Sequence, residues 1–519
     1  MRRAMLTVLM SAMLPAIATA SGWETTLDRL LTAPVSEREE LIAAVVDEAP
    51  EWHEVADRIL SAGYAEFPEA GAPVLRTTVC SDTVERPWVL VVPESYDPEV
   101  PTPLLVVLHG GVGGATIAED PLGEASDNEL VDMATENGWV SLVPFGQAGA
   151  TWWDDVGMDN IQRLLRKVKI ELNIDDDRVW MAGFSDGGSA GFAHAMVAPT
   201  DYAAFLALNG HIGVGSLDGD LPTYAPNLAN SPVYVTTTFD DGLYPSERMR
   251  PTIEMARRAG ADIFYRELPG EHDFDDVAGD LPLMARFLER HPRDPFPHEI
   301  TWEATSAEFG RCKWFAIDRV TTGRAARWHH DFNAALVDDR RTVGFFPQWD
   351  FEGSGILVDG ISDEESAARS MGLRPGDIIV EADGAPIDSL AALDVWKEGV
   401  SRGDAFGFTV IRDGARVHLS GEFPPEANYN VFKRDAPSAR ATASFMANHV
   451  DVRASRLGAF SILVHPDMFH LDENLVVTVN GDVVYDEPVA PDIGFMLSNY
   501  VENRDRSLLY VAEVEIDLR

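Results

Sequence analysis

Between residues 74 and 290 the chain alternates short, almost wholly apolar runs with longer amphipathic stretches, and nothing else in it restricts the fold so tightly. The apolar runs fall at 87–92, 104–108, 139–143, 179–182, 203–208, 233–238 and 263–268. Helical spacing occupies 158–172, 189–197, 246–259 and 281–290. A strand that is apolar on both faces must be covered on both faces. The pattern therefore predicts an α/β fold, a doubly wound and mostly parallel sheet over residues 73–291. The first two runs, joined by short turns, suit an antiparallel start. The unit closes at the linker His291-Pro292-Arg293-Asp294-Pro295-Phe296-Pro297.

With 519 residues, a prior of about 150 residues per domain gives roughly three domains. Residues 21–72 read as a helical segment, with Leu27, Leu30 and Leu31 on one face and Leu41, Ala44 and Val45 on another; such a segment could cover a site. Beyond the linker, residues 298–339 and 424–519 read as one β-rich domain, with an Asn480-Gly481 hairpin turn. A unit of different texture, residues 340–423, interrupts it.

Arg2 and Arg3, the apolar run 5–17 and Ala18-Thr19-Ala20 give residues 1–20 the form of a signal peptide, so the expected location is periplasmic or extracellular. The run is too short for a bilayer span, although an uncleaved anchor is the competing reading. Asp and Glu number 85 against 41 Lys and Arg, a formal charge of −44. That surface repels nucleic acid and anionic membranes, excluding both as partners, and would suit saline surroundings. Two cysteines, Cys80 and Cys312, make neither a disulfide scaffold nor a cysteine zinc cluster. No metal or cofactor is implied.

The chemistry gathers at strand ends. Gly183-Phe184-Ser185-Asp186-Gly187 follows the run 179–182 and opens a small-residue helix. That context suits a sharp strand-to-helix turn presenting Ser185 as nucleophile. The backbone N–H of Asp186 would be one donor to a developing oxyanion. Others would come from Gly110 and Gly111, where the run 104–108 enters His109-Gly110-Gly111-Val112-Gly113-Gly114. A phosphate cradle would want a following Lys-Ser/Thr, which is missing. A serine needs a base and the base an orienting carboxylate, in the chain order Ser, acid, His. Asp241, after the run 233–238, is the expected acid, with Asp240 as rival. His272, after 263–268, is the expected base, with His211 as the weaker candidate. His109 reads as positioning its loop and is grouped with Trp152 and Trp153 as candidate substrate contacts, one tryptophan being equally readable as core. Only about twenty residues separate Asn209 from Pro232, which argues against a large lid there.

These residues resemble the α/β-hydrolase superfamily. The stretch 175–188 and the acid turn Asp241-Gly242-Leu243-Tyr244-Pro245 look like its esterase and polyhydroxyalkanoate-depolymerase-like branch, and also like prolyl-oligopeptidase-type peptidases. The resemblance implies acyl transfer to water from an ester or peptide. Residues 340–423 resemble a bacterial PDZ domain through 367–380 (Ala-Ala-Arg-Ser-Met-Gly-Leu-Arg-Pro-Gly-Asp-Ile-Ile-Val) and Asp383-Gly384. That resemblance maps a carboxylate-binding loop onto Val343, Gly344, Phe345 and Phe346, which would take a peptide C-terminus, although a second glycine is missing. A purely structural PDZ unit is the alternative. The flanking β segments resemble modules that trail some secreted hydrolases. From a different class stands an inactive scaffold whose PDZ unit does the binding.

Overall fold

The computed structural model describes residues 22–49, 51–115, 118–338, 341–362, 366–425 and 427–518; the expected signal peptide lies outside them. Eight strands form the first sheet: β1 (Pro73–Val79), β2 (Glu85–Val91), β3 (Thr102–Leu108), β4 (Val140–Pro144), β5 (Ile174–Phe184), β6 (Ala204–Leu208), β7 (Val233–Thr238) and β8 (Ile263–Leu268). Their order is β1-β2-β4-β3-β5-β6-β7-β8. β3 to β8 run parallel. Antiparallel pairing joins β1 to β2 and β2 to β4. The antiparallel start thus exists, but not between β2 and β3 as the short turns suggested.

Alternation along the strands divides the core. Leu104, Val106 and Leu108 pack with Ile161 and Phe192 on one face; Leu105 and Val107 pack with Trp139, Trp180 and Leu288 on the other. Each such buried side chain contributes about 1.5–3 kcal/mol. The helices Asp155–Glu171 and Asp186–Val197 lie on the first face, and Leu281–Arg290 on the second.

Beyond the linker, a five-stranded sheet (Asp482–Pro488, Asn474–Val479, His449–Ser455, Ala439–Met446, Glu299–Ala304) and a four-stranded sheet (Arg311–Cys312, Phe315–Val320, Leu457–Val464, Ala512–Asp517) share one core. Three N-terminal helices, α1 (Gly22–Thr32), α2 (Val35–Glu48) and α3 (Trp52–Leu60), complete it. Trp23, Leu27, Leu30, Val45 and Ile59 are buried among Trp302, Phe460 and Tyr510. The segment expected as a possible cover for the site instead belongs to the β-rich core.

The interrupting unit has its own core and a sheet ordered Phe345–Pro347, Ile356–Ile361, Ile378–Ala382, Ala405–Arg412, Ala415–Glu422. Helices Ala367–Ser370 and Leu390–Glu398 cover it. An antiparallel ribbon, Ala335–Asp338 with Ala427–Asn430, carries the chain into and out of this unit. Among the described residues no helix is long and apolar enough to cross a membrane.

Candidate functional site

Ser185 occupies the turn between β5 and the helix Asp186–Val197, at φ 59° and ψ −117°. A non-glycine residue held there stores strain that its surroundings must enforce. Two glycines permit the enforcement. A Cβ on Gly183 would lie 2.5 Å from the Leu108 carbonyl oxygen, and one on Gly187 only 2.0 Å from it. The end of β3 therefore presses against both sides of the turn. The Ser185 N–H donates to Leu208 O at 2.9 Å, pinning the turn to β6 as well.

His272 stands on the loop after β8, and Asp241 on the turn after β7. His272 Nδ1 is 2.8 Å from Asp241 Oδ2, and His272 Nε2 is 2.8 Å from Ser185 Oγ. The Asp241 carboxylate is shut from solvent, whereas the imidazole keeps 20% of its side-chain surface exposed. Asp241 Oδ1 accepts from the N–H groups of Leu243 and Tyr244, both at 2.8 Å. Its other oxygen accepts from Asn209 Nδ2 at 3.2 Å. Two further bonds tie the histidine loop to this turn: Asp240 N–H to Gly270 O at 2.9 Å, and Thr238 Oγ1–H to Glu271 O at 2.6 Å. Asp240 itself is exposed, and it is the Asp241 carboxylate that the imidazole meets. His211 is buried too: its Nδ1 accepts from Gly213 N–H at 3.0 Å and its Nε2 meets the Tyr429 hydroxyl at 3.2 Å.

Gly110 touches the serine, since a Cβ there would sit 3.0 Å from Ser185 Cβ. Asp186 does more than its position predicted. Its Oδ2 accepts from Val112 N–H at 3.0 Å. Burial raises its pKa, opposed by the amides of Val112 and Gly111. The carboxylate thus clamps the glycine loop at Val112. His109 donates from Nδ1 to Gly110 O at 2.7 Å and accepts at Nε2 from Gly146 N–H at 3.0 Å. Burial lowers its pKa, so it stays neutral.

Several sequence expectations need correcting. Trp152 and Trp153 are both core residues, 1% and 6% exposed, and Trp152 Nε1–H donates to His109 O at 2.9 Å. Neither lines a mouth, and His109, with both ring nitrogens engaged, is a loop support. In the interrupting unit Val343 is buried in the core, and a Cβ on Gly344 would strike Ser366. Phe345 packs against that same core. The Phe346 ring lies on Gly113 of the first domain. Gly344, Phe345 and Phe346 nonetheless keep part of their surface exposed, and Phe345–Pro347 is the edge strand of its sheet.

Sequence reading missed Asn209, whose signal was a polar residue ending an apolar strand. It also missed the ring of aromatics about His272: Phe184 at 4.9 Å, Tyr244 at 5.9 Å and, beyond His211, Tyr429. Among the described residues no group of three or more His, Cys, Asp or Glu is placed to hold a metal ion.

No family model matches the chain. It is similar to a bifunctional acetylxylan esterase/xylanase of Neocallimastix patriciarum, at 35% identity over 98 residues, 18% of this chain and 14% of that protein. The chain thus spans only about a seventh of that relative's length. Among solved structures it is similar to a thermostable esterase at 21% identity and TM-score 0.35, covering 43% of this chain and 64% of that one. It also resembles a Staphylococcus aureus fluorophosphonate-binding serine hydrolase at 14% identity and TM-score 0.35, covering 42% and 98%.

Proposed function

We propose that the chain is an exported serine hydrolase of the α/β-hydrolase type that cleaves a carboxylic ester. The observation that carries this reading is the unbroken Asp241–His272–Ser185 hydrogen-bond series, 2.8 Å at each link, ending on a strained serine. Asp241 holds the imidazole with Nδ1 protonated, leaving Nε2 to take the hydroxyl proton as Ser185 Oγ attacks the ester carbonyl. The negative charge that develops on the carbonyl oxygen meets the amide of Asp186 at the helix N-terminus and the backbone of the Gly110–Gly111 turn. Collapse expels the alcohol, which takes its proton from His272. Water then attacks the acyl-enzyme with His272 as base, releasing the acid and restoring Ser185.

The acetylxylan esterase likeness supports an ester over a peptide. Within the interrupting unit, the PDZ resemblance is carried by Gly372, Gly376 and Gly384, all at positive φ where the motif turns. We read that unit as structural. A panel of short-chain acyl esters and chromogenic peptides, assayed with wild type and Ser185→Ala, tests the proposal. Ester turnover lost in the variant is expected. Turnover of peptides alone would favour the peptidase, and turnover of neither would leave the scaffold reading.

A further inference from the structure

The glycine loop beside Ser185 is the landing place of a hairpin from the interrupting unit. The strands Phe345–Pro347 and Ile356–Ile361 pair antiparallel, with 348–355 as their loop. The contact is close, with backbone against backbone where Gly360 meets Gly113. A Cβ on Gly113 would fall 1.9 Å from Phe346 Cζ, one on Gly114 2.4 Å from Asp359 Oδ2, and one on Gly360 2.9 Å from Gly113 O. A side chain at Gly360 would meet backbone and one at Gly113 would meet the Phe346 ring, so the glycine-rich loop has a second physical reason beyond the chemistry at Ser185.

The hairpin loop then places Trp349 over Gly111: a Cβ on that glycine would lie 3.4 Å from Trp349 Nε1. Gly110, its neighbour at the usual ~3.8 Å Cα spacing, is the residue that touches Ser185. Trp349 is 73% exposed and the one exposed tryptophan among the described residues. Large aromatic faces are normally buried, and one left open beside a cluster of convergent polar groups is a mark of ligand contact.

We propose that the hairpin completes the active site and that Trp349 is its specificity-determining residue, stacking on a flat-faced ring carried by the ester next to the scissile bond. This rests on the serine hydrolase reading above. The indole takes no part in bond making; it binds the ring and holds the carbonyl toward Ser185. An aryl group and the apolar face of a pyranose both present that shape, and the test separates them.

Steady-state hydrolysis is measured for wild type, Trp349→Ala, Trp349→Phe and Phe346→Ala on four substrates: ethyl acetate, which has no ring, phenyl acetate, methyl cinnamate and a methyl tri-O-acetyl-xylopyranoside. Because its side chain is exposed, Trp349→Ala should fold. We expect KM to rise about tenfold on the ring esters with kcat within twofold, and ethyl acetate to be unaffected. Trp349→Phe should retain most of the wild-type KM, and Phe346→Ala, which loosens the hairpin, should reproduce the loss. Which ring esters respond assigns the ring as aryl or pyranose. Equal loss on all four substrates, or no change on any, overturns the proposal while leaving the hydrolase intact. A wild type inert towards all four and towards a fluorophosphonate overturns the hydrolase reading itself.

Discussion

Asp240 and Asp241 are neighbours with opposite surroundings, one exposed and the other sealed beneath the imidazole with four hydrogen-bond donors around it. Asp240→Ala should leave kcat within twofold. Asp241→Asn, which presents His272 with the wrong partner, should lower kcat by about 10³–10⁴-fold; steady-state kinetics on any turned-over ester compares them. The three residues of this series were legible because each ends or follows an apolar strand, where the chain order of acid and base is constrained. The choice between the two aspartates was not legible, since it depends on which side chain the turn folds inward. Asn209 and Trp349 were hidden for a related reason: their partners are distant in sequence, 32 residues away at Asp241 and more than 200 at Gly111.

At the scale of elements, apolar runs located β2 to β8, but β1 escaped notice. It is an edge strand with alternating half-exposed residues and presents no continuous run. The N-terminal helices were legible as helices, not as members of the β-rich core, because an amphipathic face announces that it is buried without saying against what. Deleting residues 22–60 should therefore lower the melting temperature of the β-rich part and expose apolar surface to a dye such as ANS. Ester turnover that simply increases, with melting unchanged, would mean the helices cover the site. A second hydroxyl–imidazole–carboxylate series occurs in this part, with His329 2.9 Å from both Ser455 Oγ and Glu303 Oε1. Ser455 is 4% exposed and its Oγ also accepts from Ala326 N–H. Substrate cannot reach it, so this series is a structural knot.

Across the whole molecule, buried charge fastens the first domain to the β-rich one. Arg293, from the linker, bonds Asp177 and Asp505, and Lys169 meets Asp505 and Asp176. Burial alone would raise the Asp505 pKa, but Arg293 and Lys169 overcome it and hold it at about 2. A depressed folded pKa stabilises the native state above the unfolded value near 4 and loses that contribution as pH falls from there toward 2. Acid titration followed by tryptophan fluorescence should show the domains loosening in that window. Arg293→Met leaves the buried Asp505 with Lys169 as its remaining cation and should cost about 3–5 kcal/mol in denaturant unfolding. The linker's arginine reads as surface in the sequence, whereas the structure buries it.

The same scale brings distant segments near Ser185, since a hairpin far along the chain lies against the glycine loop beside it and Tyr429 of the ribbon meets His211. The central claim nonetheless concerns one oxygen atom. Intact-mass analysis after exposure to a fluorophosphonate tests it most directly. The account predicts one covalent adduct on wild type, mapped to the peptide bearing Ser185, and none on Ser185→Ala. An unlabelled wild type, or a Ser185→Ala protein that labels equally well, would contradict it.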